Sequence, residues 1–238
     1  MNYIEMKQTM REYIGKLVDS TNFRFVFTNE ERDQCNFLRK GITYLQKIIL
    51  LAGEHEKMPD YIEHYLSLDN NDINVTDYHG YTVLHYSFRY KNNYLNKTFK
   101  ILINAGANVD VQDLMGDSCL HYAISRNLID IAEMLINAGA DVDAYSFLNR
   151  SPLDYAVHYC YLDFVELLIN SYANVNVRNI RGNTPLHTAL IDVRTNIKTD
   201  NKRAIIKLLI YAKADIFNIR NAHGNTVYNY LSEKKLKQ

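Results

Sequence analysis

The feature that most constrains this chain is that it repeats itself. An eight-residue block reads GYTVLHYS from Gly80, GDSCLHYA from Gly116, NRSPLDYA from Asn149, GNTPLHTA from Gly182 and GNTVYNYL from Gly224. Its starts lie 36, 33, 33 and 42 residues apart. A second block recurs in phase: ILINAGANVDV (101–111), MLINAGADVDA (134–144), LLINSYANVNV (167–177) and LLIYAKADIFN (208–218). A period of this length marks a supersecondary unit that stacks on copies of itself, because one unit alone cannot bury its apolar face. Stability is then a sum over neighbouring stacks. The 238 residues therefore read as one elongated array.

Each recurring position has a local physical role. The leading Gly, or Asn149, supplies positive φ to a turn. Thr43, Thr82, Ser118, Ser151, Thr184 and Thr226 stand where a hydroxyl caps the helix that follows. Pro152 and Pro185 fall in the first helical turn, where the missing N–H costs nothing. Leu84, Leu120, Leu153 and Leu186 lie on the face that meets neighbouring units. In the second block Phe99, Ile101, Leu102 and Ile103, then Ile131, Met134, Leu135 and Ile136, have helical periodicity. Gly106 and Gly139 suit a left-handed helix end. Tyr172 and Lys213 replace that Gly later, which predicts less favourable ends there. The Val/Ile–Asn/Asp stretch beyond is expected to form an extended hairpin pointing away from the helices.

Together the two blocks resemble the ankyrin repeat, whose hallmark is Thr-Pro-Leu-His-x-Ala at a period of about 33 residues. The resemblance covers residues 75–232 well and 41–74 weakly. It implies an all-α ankyrin-repeat solenoid, each repeat a helix–turn–helix plus hairpin, with an N-terminal helical cap. The expected divisions are a cap or arm over 1–40, a degenerate first repeat over 41–75, and repeats over 76–111, 112–144, 145–177 and 178–219. The fourth of these carries an insertion at about 192–202, and a truncated last repeat occupies 220–238. The resemblance also implies that His85, His121 and His187 tie adjacent turns by hydrogen bonds. An exit Asn with a Leu eight residues before it resembles the substrate of an asparaginyl hydroxylase; Leu66–Asn74 and Leu168–Asn176 have that spacing.

The first 40 residues do not match the repeat. Met6, Met10, Tyr13, Ile14 and Leu17 predict a helix over about 3–19, and Thr28 with Glu31 forms a capping-box pattern. This segment is read as a cover for the apolar end of the array, which needs one; a partner-binding arm is the alternative.

No phosphate-binding Gly-rich loop, HExxH, Cys-x-x-C or Gly-x-Ser-x-Gly pattern is present. Cys119 and His121 sit two apart, on different helix faces. Asp141 and Asp143 belong to a repeat exit. No metal site or cofactor is expected, since the recurring histidines stand one repeat apart. Charge is balanced, 27 basic against 27 acidic residues, which gives no footprint for nucleic acid. The absence of an 18-residue apolar run and of a leader predicts a chain that is neither membrane-bound nor secreted. Cys35, Cys119 and Cys160 show no ligand spacing and suit a reducing cytoplasm.

The hairpin tips are the informative positions. They carry Tyr78, Leu114 and Met115, Phe147 and Leu148, and Ile180, with Tyr145 close by. Solvent-facing tips have no need of such residues, and an exposed apolar row marks a partner site. Arg89, Tyr90, Arg126, His158 and Tyr159 add Arg and Tyr, favoured interface anchors, at the exits of the first helices on the concave side. The expected function is non-enzymatic protein–protein interaction by a monomer through the tips and the concave helix face. A self-assembling structural oligomer is the alternative. An enzyme built on the N-terminal arm is disfavoured, because that arm is too short for a catalytic domain. The bias toward Asn, Ile, Lys and Tyr resembles short ankyrin proteins of large DNA viruses and intracellular bacteria, which engage host proteins.

Overall fold

The computed structural model describes residues 43, 45–46, 48–49, 58–67, 73–89, 94–191 and 199–235. The expected cap over 1–40, Tyr90 and the centre of the insertion lie outside the described residues. Ten helices are present among the described segments: α1 (Met58–Leu66), α2 (Val83–Ser87), α3 (Leu95–Asn104), α4 (Cys119–Ser125), α5 (Ile129–Asn137), α6 (Pro152–His158), α7 (Leu162–Asn170), α8 (Pro185–Ile191), α9 (Thr199–Tyr211) and α10 (Val227–Lys235). The chain divides after Asn108 into two compact units.

In the second unit the helices form two layers. The first helices of successive repeats stack in the order α4, α6, α8, α10, and the second helices in the order α5, α7, α9. Within each repeat α4 packs on α5, α6 on α7 and α8 on α9. The first helices are short and apolar nearly all round, because they lie between neighbours; α4 buries Cys119, Leu120, His121, Ala123 and Ile124. The second helices are amphipathic. α5 buries Ile131, Ala132 and Leu135 and exposes Asp130 and Glu133. α7 buries Phe164, Val165 and Leu168 and exposes Asp163 and Glu166.

Helix ends follow from local chemistry. Ser151 accepts the Asp154 N–H at 3.2 Å, and Pro152 opens α6. At the far end of α5, Gly139 has φ +89°. Its N–H reaches the Ile136 carbonyl, and the Ala140 N–H reaches Leu135, the paired bonds of a Schellman end. Tyr172 and Lys213 make the same paired bonds at φ +65° and +64°. The helix end is thus unchanged without Gly, and the strain rests on the residue itself.

Two sequence expectations change. The insertion was expected to loop out through Lys202, but α9 opens at Thr199. Asp200 favours an extra turn there, at a helix N-terminus and 3.5 Å from Arg203, with the sign the macrodipole prefers. The expected extended hairpins are tight turns; the one bridge among the described residues joins Gln112 and Ser118. Each turn closes with two backbone bonds: the N–H of Asp77, Asp113, Ser146, Asn179 or Asn221 reaches the carbonyl four residues on, and its carbonyl accepts the N–H three residues on. In four of them the first residue's side chain also takes N–H groups that a ladder would use: the Asp113 carboxylate accepts from Met115 and Asp117, and Asp77, Asn179 and Asn221 do the same.

In the first unit α1 and α2 pack on α3. Phe88 and Phe99 meet in its core at 4.8 Å between ring centroids.

Candidate partner-binding surface

The turns that carry the tips are anchored from beneath by buried polar side chains. The Ser118 N–H donates to His121 Nδ1 at 3.2 Å. An accepting Nδ1 carries no proton, so Nε2 holds it and donates to the Arg150 carbonyl of the next turn at 3.0 Å. His187 repeats the arrangement, with Thr184 N–H on Nδ1 and Nε2 on the Asn225 carbonyl. Burial lowers the pKa of both imidazoles below the ordinary histidine value, so both are neutral ties. In the first unit Gln46 does the same work: its Oε1 accepts the Thr43 N–H, and its amide donates to the Val75 and Tyr81 carbonyls.

Asp154 occupies the same position in its repeat and changes the joint. It is buried, pairs with Arg150 at 2.9 Å and accepts from Thr188 Oγ1 and Asn179 Nδ2. The Arg150 guanidinium also lies 4.7 Å over the Tyr155 ring. The Tyr155 hydroxyl donates to Asp117 at 2.8 Å, and burial pushes that phenol above its usual range. A continuous polar chain therefore runs through three successive repeats.

Two further recurring ties escaped the sequence reading. Tyr86 donates to Asp77 and Tyr122 to Asp113, an Asp–Tyr pair nine residues apart that is visible in both repeats. The exits form a second ladder. Asn74 accepts the Asn108 N–H, Asp110 that of Asp141, Asp143 that of Asn174, and Asn176 that of Asp215. The amides of Asn74 and Asn176 thus each hold the next exit in place. Asp215 has its carboxyl held below the usual range, chiefly by hydrogen bonds from Asn218.

The tips themselves stand in solvent. Leu114 is 71% exposed, Met115 57%, Phe147 69% and Ile180 66%; Leu148 and Tyr145 are exposed as well. Backbone bonds place the tips of the second unit side by side. The Phe147 N–H donates to the Met115 carbonyl at 2.7 Å, Ile180 to Leu148 at 3.0 Å, and Ala222 to Arg181 at 2.9 Å. Gly116 makes this approach possible: a Cβ there would lie 2.9 Å from the Phe147 nitrogen, and its φ is +73°. Tyr78 is exposed on its own turn in the first unit.

Helix pairs joined by tip-bonded turns, tied by neutral imidazoles at a fixed register, match a known family. The model of ankyrin repeats in three copies matches residues 48–146 and 91–179, and the single ankyrin repeat matches 181–222. The chain belongs to the ankyrin repeat family. No curated protein sequence matches it. Among solved structures it is similar to an ankyrin repeat domain from Acinetobacter baumannii, with a TM-score of 0.69, 27% identity, 80% of this chain and 92% of that chain covered. A second ankyrin repeat protein shares the fold with a TM-score of 0.67 and 22% identity, over 82% of this chain and 95% of that chain.

As an ankyrin array the chain departs from the family motif where Asp154 and Asn229 stand in place of the recurring His. The other candidate positions are more engaged than the tips. Arg89 is exposed, with its guanidinium 5.7 Å from the Tyr86 ring centre. Arg126 is exposed, while His158 and Tyr159 are half-buried. Those two rings meet edge to face at 5.3 Å, and Tyr159 stacks on Tyr161 at 5.6 Å. Cys119 is fully buried, and burial raises its thiol pKa far beyond reach of a nucleophile. Among the described residues no group of three His, Cys, Asp or Glu could hold a metal ion. No described helix is long and apolar enough to cross a membrane.

Proposed function

We propose that this chain works as ankyrin repeats generally do, as a protein–protein interaction module of a typically non-enzymatic family. We propose that this chain, as a cytoplasmic monomer, binds a partner protein through the tip row of its second unit, Leu114, Met115, Phe147, Leu148 and Ile180, with Tyr145 alongside and without catalysis. The observation that carries this reading is the row itself: large apolar side chains exposed on turns whose backbones bond to one another. A contiguous exposed apolar row of this kind marks an interaction site. In the second unit Arg126, His158 and Tyr159 at the helix exits supply further contacts, and Tyr78, Arg89 and Tyr90 are candidate contacts of the first unit by itself. The bias toward Asn, Ile, Lys and Tyr, with 19 Tyr, resembles short ankyrin proteins that engage host proteins, so a host-cell protein is the proposed partner.

The test compares quantitative capture by the wild type, by F147S/L148S and by Y172S. Tyr172 is 93% exposed at the end of α7 and not on a tip, so Y172S serves as the control. The tip variant should lose at least about thirtyfold in capture, since central aromatic anchors contribute about 2 kcal/mol or more, and Y172S should lose none. Equal capture by all three would remove the tips from the interface. Sedimentation across a dilution series addresses the alternative, because concentration-dependent association abolished by F147S/L148S would make the row a self-contact. Asn74 and Asn176 are the proposed hydroxylation positions. Co-expression with an asparaginyl hydroxylase should add one oxygen to either, and an unchanged intact mass would reject this.

A further inference from the structure

The geometry of the tip row says what kind of segment fits it. We infer that the row Met115–Phe147–Leu148–Ile180 receives an amphipathic α-helix of the partner, with an apolar stripe at heptad spacing and acidic residues beyond one end of the stripe. This rests on the tip-binding reading above and names the partner's chemistry.

Three observations carry it. The first is that the backbone of the row is already satisfied. The N–H groups of Phe147, Ile180 and Ala222 and the carbonyls of Met115, Leu148 and Arg181 are spent on one another. An extended peptide gains its affinity by adding its own backbone bonds to an exposed edge. Those six groups are not on offer, so the row recognises side chains. A helix suits such a surface, because it satisfies its backbone internally.

The second is spacing. Successive tips are joined by one cross-tip hydrogen bond and one peptide. The bond separates neighbouring backbones by about 4.8 Å, and adjacent Cα atoms lie about 3.8 Å apart. Equivalent tips therefore stand at most about 9 Å apart. Seven residues of helix rise about 10.5 Å, a mismatch that the long side chains of Leu114, Met115 and Phe147 can take up. The paired residues within a tip also suit a helical stripe, whose intermediate positions at i+3 and i+4 lie about 5–6 Å along the axis.

The third is charge. The apolar part of the row ends at Ile180, and beyond it the turns carry Arg178, Arg181 and Arg220, all exposed. Arg178 and Arg220 each donate to a backbone carbonyl, those of Arg220 and Gly224, which leaves their positive charge in place. A partner helix lying along the row reaches these guanidinium groups with one end. Acidic residues at that end complete the match and set its direction.

A displayed library of random 20-residue peptides, selected against the intact chain, tests this. The enriched peptides should carry apolar residues at i, i+3 or i+4, and i+7, with Asp or Glu beyond one end. They should gain helical circular dichroism on binding. F147S/L148S should weaken the best peptide at least tenfold. R181E should weaken it about threefold and flatten its salt dependence. Enriched peptides with alternating apolar residues and no helical gain would overturn the helix assignment, as would a selection returning no tip-dependent peptide. If the tip variant still loses its captured partner in that case, the tip-binding reading survives alone. If neither partner nor peptide depends on the tips, both readings fall.

Discussion

Each turn of the second unit contains two regions that reverse the ordinary order of burial. Beneath the turn, Ser118, His121, Ser151, Asp154, Thr184 and His187 are buried and polar. At its tip, Leu114, Met115, Phe147 and Ile180 are apolar and exposed. The difference teaches that burial here is decided by whether a group finds a partner. The buried set is hydrogen-bonded, to backbone that would otherwise be orphaned or, for Asp154, to the side chains of Arg150, Thr188 and Asn179, which removes the desolvation cost. The tips have no core to enter, because the turns project beyond the helices and touch one another by backbone.

The sharpest way to break this comparison is to remove one buried partner. Asp154→Ala leaves Arg150 without its counter-charge and Thr188 and Asn179 without an acceptor. Breaking a buried pair costs about 3 kcal/mol, and urea unfolding should show a loss of that size. A loss below about 1 kcal/mol would mean that water replaces the carboxylate and that the joint is looser than its geometry.

The histidine joints give a smaller, pH-dependent effect. His121 and His187 have folded pKa values below the unfolded value of 6.5, so on acidification the unfolded chain takes up protons first. Their stabilising contribution is full above about pH 6.5 and is lost as pH falls through the folded values. Asp113, Asp117 and Arg150 face His121 and modulate this. His121→Gln should cost about 1 kcal/mol or less, the worth of a cap, because Gln46 shows that Gln can hold both bonds. It should also reduce the fall in melting temperature between pH 7 and pH 5. An unchanged pH profile would assign acid sensitivity to other groups.

Thr98 tests the rule from the opposite side. It is fully buried, and its hydroxyl has no hydrogen-bond partner among the described residues. Thr98→Val keeps the shape and removes the unsatisfied group, so the free energy of unfolding should rise by about 1 kcal/mol. A loss would reveal a bond to that hydroxyl. The smallest effect belongs to the tips. F147S/L148S should change stability by no more than about 0.5 kcal/mol, as surface substitutions do. Early melting with capture intact would make the tips part of the fold and move the interface to the helix exits.

Much of this was legible in the residues. The 33-residue interval between Gly116 and Asn149 and the cap–Leu–His order required stacked helix pairs, since each position meets a local demand that holds in any context: positive φ, a hydroxyl cap, an apolar stripe. The exposure of the tips was legible too, because residues in a turn between helix pairs have nowhere to bury. The ties at Asp77–Tyr86 and Asp113–Tyr122 were present as a nine-residue spacing but carry no local signal, since neither residue type is unusual in a turn.

The sequence by itself thus determined which segments turn, which are helical, and which face of each helix meets a neighbour, because those depend on interactions within a few residues. The tertiary structure alone decided how the turns are tied. Asp154 with Thr188, His121 with the Arg150 carbonyl and Phe147 with Met115 join residues about one repeat apart. Such partners are chosen by distance and angle after the repeats stack. Geometry also turned the expected hairpins into tight turns whose backbone groups are spent on side chains and on the next tip.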